Sequence, residues 1–154
     1  MHKGIGSPRA KAFEEDITLA AMSLVPVLIT APPADAFCIV RAIAARERRG
    51  RTREVLACDV SAGDDAIGTI ADNRVRLATD HGTAILWIGE VHALTPPEQS
   101  ALITLLAPLS RGREEDVPRI VASSSIALRD DVRNGRFDAR LFYRLNIIHI
   151  VVPG

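Results

Sequence analysis

Five short apolar runs, separated by segments with helical periodicity, constrain the fold of this 154-residue chain more than any other feature. The runs are Val25 to Thr30, Glu54 to Val60, Ala84 to Ile88, Arg119 to Ser123 and Ile147 to Val152. Each run has the length of a strand and is rich in Val, Ile and Leu, which is typical of strands buried on both faces. The pattern therefore predicts an α/β fold with three layers, in which a parallel five-stranded sheet has helices on both faces.

Helical patterns fill the intervals between these runs. The predicted helices are Phe13 to Leu24, Phe37 to Arg48, Asn73 to Thr79 with a weaker one before it, Pro96 to Pro108, and Arg136 to Leu145. Thr95 and Glu98 have the spacing of a capping box around Pro96, which fixes the start of the fourth helix. Residues 1–12 contain two glycines and a proline without such periodicity, so we predict a flexible leader followed by a single domain over residues 13–154.

Composition excludes several classes of protein. The 19 basic and 19 acidic residues cancel, so no overall field attracts nucleic acid or an anionic membrane. The arginines between Arg46 and Arg53 are interpreted as a solvated turn. Cys38 and Cys58 are too few and too far apart for a disulfide framework or a zinc site, and we expect both to be buried. For the same reason we expect no bound metal. No segment approaches the roughly 20 apolar residues of a membrane span, so we expect a cytoplasmic protein.

The segment after the first run is the first candidate for chemistry, because parallel sheets bind ligands beyond the carboxyl ends of their strands. It consists of Ala31, Pro32, Pro33, Ala34, Asp35, Ala36 and Phe37. A strand, a loop and a helix in this order are typical of a phosphate-binding loop, which uses glycines and a lysine to hold phosphates. Here alanines disfavour positive φ, the prolines have no N–H group and Phe37 has no charge. The residues predict that ordinary ATP binding is lost.

Several segments, in order, resemble the AAA+ sigma-54 interaction domain of bacterial enhancer-binding transcriptional activators, from about Phe13 to Pro153. The most specific is Gly135 to Ile147, which follows the family's G-[KR]-F-R-x-D-L-[FY]-x-R-L-N-[VI] motif. Pro118 to Ser125 is similar to the family's sensor I strand. Leu94 to Ile103 resembles the motif L-P-x-x-x-Q-x-x-L-L, with Thr95 in place of the proline. His81 to Glu90 resembles the motif G-G-T-L-F-L-D-E but is two residues longer. The resemblance implies a P-loop NTPase/AAA+ core.

The resemblance also assigns roles to individual positions. In the family the loop G-E-x-G-T-G-K-E binds ATP with Mg²⁺, and its lysine position here holds Phe37. Gly89 stands in place of the aspartate that holds Mg²⁺, and Glu90 keeps the glutamate that orients the attacking water. Glu90 without metal or triphosphate is interpreted as a surface carboxylate. Ser124 occupies the sensor position.

Further family parts are altered or missing. Of the two arginines that the family presents to a neighbouring subunit's γ-phosphate, the first is Asp138 and the second is Arg144. Arg144 could act in trans on a competent ATPase, although we favour a structural salt bridge for it. The G-A-F-T-G-A loop that contacts the sigma factor has no counterpart in Asp59 to His81. The sequence reaches Pro153 where the family continues into a helical lid, so we expect a core without the lid and without direct DNA binding.

Two functions of different class remain open. The first is a non-catalytic interaction module, not an enzyme, in which Glu90, Ser124 and Arg144 are vestigial. Its partner would be an active AAA+ activator or the sigma-54 machinery, and self-association is also open. The second is a ligand sensor that binds ATP, a cyclic dinucleotide or another regulatory nucleotide in the modified cleft, with Phe37 stacking on the base and Arg41 contacting a phosphate. A third option is a fragment of a longer regulator.

Overall fold

A parallel five-stranded sheet forms the middle layer of the domain. The computed structural model describes residues 8–23, 25–46, 52–79, 82–106 and 117–152, with the backbone alone for residues 8–12. The strands are β1 Val27–Thr30, β2 Glu54–Asp59, β3 Ala84–Gly89, β4 Ile120–Ser124 and β5 Ile148–Val151. They lie in the order β2-β3-β4-β1-β5, and every neighbouring pair is parallel. The predicted α/β sheet is confirmed.

Seven helices accompany the sheet in the described part of the chain. They are α1 Pro8–Ser23, α2 Pro33–Ala45, α3 Ala66–Asp72, α4 Arg74–Leu77, α5 Pro96–Leu106, α6 Leu128–Arg133 and α7 Ala139–Leu145, with short 3-10 turns at Val60–Ala62 and Val91–Ala93. None of the described helices combines the length and the hydropathy of a membrane span.

Side chains that alternate along the strands divide the interior into two apolar clusters. Val27 and Ile29 of β1 pack with residues of α1 and α2, whereas Leu28 packs on the opposite face with residues of α3, α5 and α7. Successive side chains of a strand point to opposite faces, so both faces of β1 need a helical cover. The predicted three-layer arrangement follows from this packing.

Several element boundaries differ from the predicted ones. Helix α1 begins at Pro8, so the stretch expected to be a flexible leader is helical from that residue, while residues 1–7 lie outside the described part. Helix α2 begins at Pro33 rather than Phe37. Between β2 and β3 the longer helix is α3 and not the predicted segment from Asn73, and α6 had no predicted counterpart. The predicted end of α5 at Pro108 also lies outside the described residues.

Arg53 and Arg119 are both buried inside the domain, although Arg53 was expected at the surface. Arg53, assigned to the solvated turn, is 8% exposed and donates to the carbonyl oxygen of Thr79 at 2.6 Å. Arg119 is fully buried and donates to the carbonyl oxygens of Val25 and Ala20 at 2.6 and 2.8 Å. Buried charges need such hydrogen bonds. Both arginines therefore join the sheet to the segments beside it.

The two cysteines differ in exposure. Cys58 on β2 is buried as predicted, but Cys38 on α2 is exposed, so the prediction for Cys38 is wrong. Position 38 lies on the outer side of α2, whereas its neighbours Ile39 and Val40 face the sheet. Neither cysteine forms a disulfide.

Candidate functional site

The connection between β1 and α2 is a first helical turn rather than an open loop. Only two residues, Ala31 and Pro32, separate the strand from the helix. The Ala31 N–H donates to the Ser124 carbonyl oxygen at 3.0 Å, and the Ala36 N–H donates to the Pro32 carbonyl oxygen at 3.0 Å. Proline suits the first helical position because its missing N–H has no partner there. The first bond continues the pairing of β1 with β4, and the second is the first backbone bond of α2, so the chain passes from strand to helix without an open loop.

The side chain at the family's lysine position belongs to an aromatic contact. The Phe37 ring lies 5.9 Å from the Trp87 ring, measured between centroids. The guanidinium carbon of Arg41 lies 5.5 Å from the Phe37 centroid, a cation–π distance. Phe37 is still 44% exposed, so one part of its ring faces solvent. Arg41 and Phe37, the two residues of the sensor hypothesis, are thus already in contact with each other.

Three consecutive serines at the end of β4 each bind one residue of the β3 end. Trp87 Nε1 donates to Ser123 Oγ at 2.8 Å, and His92 Nδ1 lies 2.9 Å from Ser124 Oγ. Glu90 accepts from the Ser125 hydroxyl at 2.7 Å and from its backbone N–H at 2.8 Å. We call these pairs the serine ladder: Ser123 with Trp87, Ser124 with His92 and Ser125 with Glu90. It ties together the strand ends at which the family hydrolyses ATP.

The Ser124–His92 pair does not form an activated nucleophile. The Ser124 hydroxyl donates its single proton to the Ile126 carbonyl oxygen at 2.8 Å. With that proton given to Ile126, His92 Nδ1 is assigned as the protonated nitrogen and the donor to Ser124 Oγ. A catalytic serine instead gives its proton to a base. Ser124, predicted as a vestigial sensor, is fully buried and holds the turn after β4.

Glu90 adopts a left-handed backbone, with φ 53° and ψ 51°, and is the one non-glycine residue with positive φ in the described part of the chain. Such a conformation costs about 1 kcal/mol or more for a side chain that has a Cβ. Both carboxylate oxygens are held by Ser125, and the residue is half-buried. Glu90 was interpreted as a surface carboxylate; the structure adds that its side chain links β3 to the segment after β4.

A cavity of about 150 Å³ lies at the carboxyl ends of β2 and β3. Its lining is Pro33, Ala57, Cys58, Asp59, Ser61, Trp87, Gly89, Glu90 and Ser123. These nine residues include two carboxylic acids and no lysine, arginine or histidine. Burial raises the pKa of the Cys58 thiol, so this thiol stays protonated at neutral pH. Typical ligand pockets measure about 300 to 1,000 Å³, so the cavity suits only a small molecule.

The two arginine-finger positions lie at the two ends of α7. Asp138 is the N-cap of this helix, and its hydrogen bond from the Arg140 side chain holds the pKa of the carboxyl below its usual range. Arg144 lies in the last turn, is half-buried, and makes no ion pair with the residues that the structure describes. The salt bridge favoured for Arg144 is therefore absent from the described part.

Sequence reasoning missed the partners in the serine ladder and the role of Gln99. The Gln99 side chain donates to the Leu94 carbonyl oxygen at 2.9 Å and accepts from the Asp138 N–H at 2.7 Å, which joins α5 to α7. Three serines after an apolar run were visible in the sequence, but their partners are about 30 residues away and only the sheet brings them together.

Comparison with known families assigns the domain. A family model described as the sigma-54 interaction domain matches residues 6–154. The chain belongs to this family. The chain is 34% identical over 93 residues to the phenol regulator MopR of Acinetobacter guillouiae, a match that covers 56% of this chain and 16% of MopR. It is also 34% identical over 74 residues to a putative NtrX-like response regulator of Rickettsia typhi, and this match covers 44% of this chain and 15% of the Rickettsia protein.

Solved structures show the same fold. The sigma-54 interaction domain matches NtrX from Brucella abortus in complex with ADP with a TM-score of 0.69 at 20% identity, over 97% of this chain and 37% of NtrX. It matches the P-loop NTPase domain of a sigma-54 transport activator from E. coli with a TM-score of 0.67 at 14% identity. This match covers 92% of this chain and 93% of the E. coli domain. The chain spans about a sixth of the curated relatives it matches. The P-loop NTPase/AAA+ fold and the membership of a transcription-regulator family are thus confirmed.

Proposed function

We propose that this sigma-54 interaction domain is a non-catalytic regulatory module that modulates transcription through protein partners. The observation that carries the proposal is the start of α2 at Pro33, which places a helical turn and the Phe37–Trp87 contact where the family has a glycine loop and a lysine. ATP with Mg²⁺ does not fit these residues, because Pro32 and Pro33 contribute no N–H group to a phosphate cradle and Phe37 contributes no cation.

The charge of the cleft supports the same proposal. A triphosphate is stabilised by a lysine, by Mg²⁺ and by N–H groups. The cavity instead presents the carboxylates of Asp59 and Glu90, and no basic residue lies among its lining. The family also has carboxylates beside its nucleotide, but there Mg²⁺ and a lysine neutralise them, whereas no cation in the lining offsets the repulsion between these carboxylates and a phosphate. Phosphate groups would therefore be repelled from the position that the family uses for catalysis.

Arg144 supplies the link to a partner. Subunits of family ATPases meet with nucleotide at the interface, and an arginine from one subunit stabilises charge in the site of its neighbour. Arg144 lies on α7 without an ion pair in the described part of the chain, so its guanidinium is available to such a neighbour. The partner we propose is an active AAA+ activator or another component of the sigma-54 machinery.

Isothermal titration with ATP and with ADP, each with and without Mg²⁺, tests the loss of the nucleotide site. We expect no saturable heat at millimolar nucleotide and no phosphate release. Saturable binding of ATP with Mg²⁺ together with phosphate release would overturn the non-catalytic proposal.

A partner assay tests the second part of the proposal. The purified domain is added to an active sigma-54 activator from the same cell, and the activator's ATPase rate is measured. We expect a change that Arg144→Ala removes and Arg133→Ala keeps, because Arg133 is an exposed arginine at the end of α6 and matches Arg144 in charge. Equal effects of the two variants would exclude a role for Arg144 in trans.

The sensor of a regulatory nucleotide remains the second candidate, because Phe37 is 44% exposed and Arg41 lies beside it. A base could stack on this ring only if Arg41 moved away from it. Thermal-shift measurements with cyclic dinucleotides and with ATP test this candidate, since a ligand that binds only the folded state raises the melting temperature. A saturable rise that Phe37→Ala abolishes would favour the sensor over the interaction module.

A further inference from the structure

We infer that the cavity at the ends of β2 and β3 binds a small organic cation with an ammonium group. The inference goes beyond the proposed interaction module, which would stand whether or not this cavity takes a ligand. It rests on three properties of the cavity: two carboxylates, an aromatic wall and a small volume.

The carboxylates come from neighbouring strand ends. Asp59 ends β2 and pairs in register with Gly89 of β3, and Glu90 follows Gly89 directly. Asp59 Oδ1 accepts from the Ser61 N–H and hydroxyl at 3.0 and 2.6 Å, whereas Oδ2 accepts no hydrogen bond from the described residues. Glu90 is fixed by Ser125. An ammonium group beside the exposed Asp59 would meet the open Oδ2 of a carboxylate that Ser61 holds in place, and charge-assisted hydrogen bonds of this kind are stronger than neutral ones. Glu90, whose two oxygens already accept from Ser125, adds a second negative charge to the lining.

The aromatic wall is Trp87. Its indole N–H donates to Ser123 Oγ, which fixes the ring, and the ring lines the cavity. The face of an indole is the best aromatic partner for a cation in proteins. Two acids beside a fixed indole favour an ammonium ion over a neutral or anionic molecule of the same size.

The volume and the donor set argue against two other ligands. At about 150 Å³ the cavity is smaller than pockets for drug-sized ligands, so it excludes a nucleotide. Within the described residues no group of three or more His, Cys, Asp or Glu side chains could hold a metal ion. The cavity therefore suits an amine of a few heavy atoms.

Trp87 is the single tryptophan of the chain, so its fluorescence reports directly on the cavity. The probe is n-propylammonium chloride, titrated into the full chain at constant ionic strength. The comparison probes are 1-propanol and sodium propionate, which have similar size without the positive charge, and MgCl₂. We expect a saturable fluorescence change in the millimolar range for the ammonium salt alone, since so few atoms limit the affinity. A missing response, or an equal response to propanol, propionate or Mg²⁺, overturns the inference.

Variants locate the response. Glu90→Gln and Asp59→Asn keep size and hydrogen bonding but remove one charge each, and each should raise the dissociation constant about tenfold. Gly89→Ala should weaken binding by narrowing the cavity; a Cβ there would meet its nearest atoms at 3.7 Å, an ordinary contact distance, so the strand tolerates alanine. Asp130→Asn, an exposed carboxylate on α6, is the matched control and should leave binding unchanged. If Asp130→Asn weakens binding as much as Glu90→Gln, the signal comes from general charge and the inference fails.

Discussion

Arg119 shows how a single charged residue can hold two layers together. Its guanidinium lies inside the domain and donates to carbonyl oxygens at the end of α1 and before β1. The last carbonyl oxygens of a helix have no partner within the helix, so a buried donor is needed to satisfy them. Arg119 therefore fixes the position of α1 against the sheet.

Replacing Arg119 should destabilise the domain strongly. Arg119→Met keeps much of the side-chain volume but leaves buried carbonyl oxygens without a donor, so we expect a loss of about 3 kcal/mol in the free energy of unfolding. Urea denaturation measures this loss. Arg133→Met removes an exposed arginine and should cost less than about 0.5 kcal/mol. Equal midpoints for the two variants would contradict the bracing role of Arg119.

His149 should give the domain a pH dependence that can be isolated, and a small one, because this residue is exposed. Desolvation of its ring, and secondly the positive charge of Arg129, lower the pKa of His149 in the folded state. The unfolded chain, with a pKa near 6.5, then binds a proton more readily than the folded one, so stability falls as the pH drops below about 6.5. The test variant is His149→Gln, which removes the titrating ring but can keep a hydrogen bond to Thr30 Oγ1.

We expect the melting temperature of the His149→Gln variant to fall less between about pH 7.5 and pH 5.5 than that of the unaltered chain. Differential scanning calorimetry at both pH values measures the two differences. Parallel curves for the two proteins would show that His149 contributes nothing to the acid sensitivity.

Helix starts were the elements that the sequence predicted best and worst. The capping box of α5 is present: the Glu98 N–H donates to Thr95 Oγ1 at 3.3 Å, and the Thr95 N–H donates to Glu98 Oε1 at 2.8 Å. Helix α2 begins four residues earlier than predicted, because Pro32 and Pro33 were interpreted as a loop although proline suits a first helical turn. A local motif predicts a helix start reliably only where it fits a single type of structure, and a proline pair fits both a loop and a first helical turn.

Thr95→Ala should lower stability by about 1 kcal/mol, since it removes the cap of α5. For a domain of this size the melting temperature would fall by about 3 °C. Ser100→Ala, at an exposed position within the same helix, serves as the control and should change the melting temperature little. A similar fall in both variants would indicate that the cap does not stabilise α5.

The candidate site was less predictable than the fold for a physical reason. Apolar periodicity is a local property, so the strands and the layers could be predicted from the sequence. The serine ladder joins residues that are 32 to 36 positions apart, and the burial of Arg53 and Arg119 depends on carbonyl oxygens elsewhere in the chain. Hydrogen bonds between distant segments have no periodic signature, so these contacts required the structure.

At the scale of the whole molecule, the altered cleft depends on the backbone as well as on one missing lysine. Phe37→Lys alone should leave ADP binding undetectable at millimolar concentration, because α2 would still begin at Pro33. Replacing the whole turn should restore measurable binding, since it returns the glycines and N–H groups that cradle phosphates. The replacements are Ala31→Gly, Pro32→Glu, Pro33→Ser, Ala34→Gly, Asp35→Thr, Ala36→Gly and Phe37→Lys.

Titration calorimetry with ADP distinguishes these outcomes, and circular dichroism checks that each variant is folded. ADP binding by the Phe37→Lys variant would mean that a phosphate cradle already exists in the chain. Failure of the folded seven-residue variant would mean that residues outside the turn also prevent binding.

The position of β1 in the sheet has a consequence for synthesis of the protein on the ribosome. β1 pairs with β4 on one edge and β5 on the other, and both partners lie more than 85 residues further along the chain. A nascent chain can close the β2–β3 pair early, but β1 stays unpaired on both edges until Ile120 and then Ile148 have been translated. During that interval an apolar strand is open to wrong pairing, so the domain should depend on chaperones while it is being made.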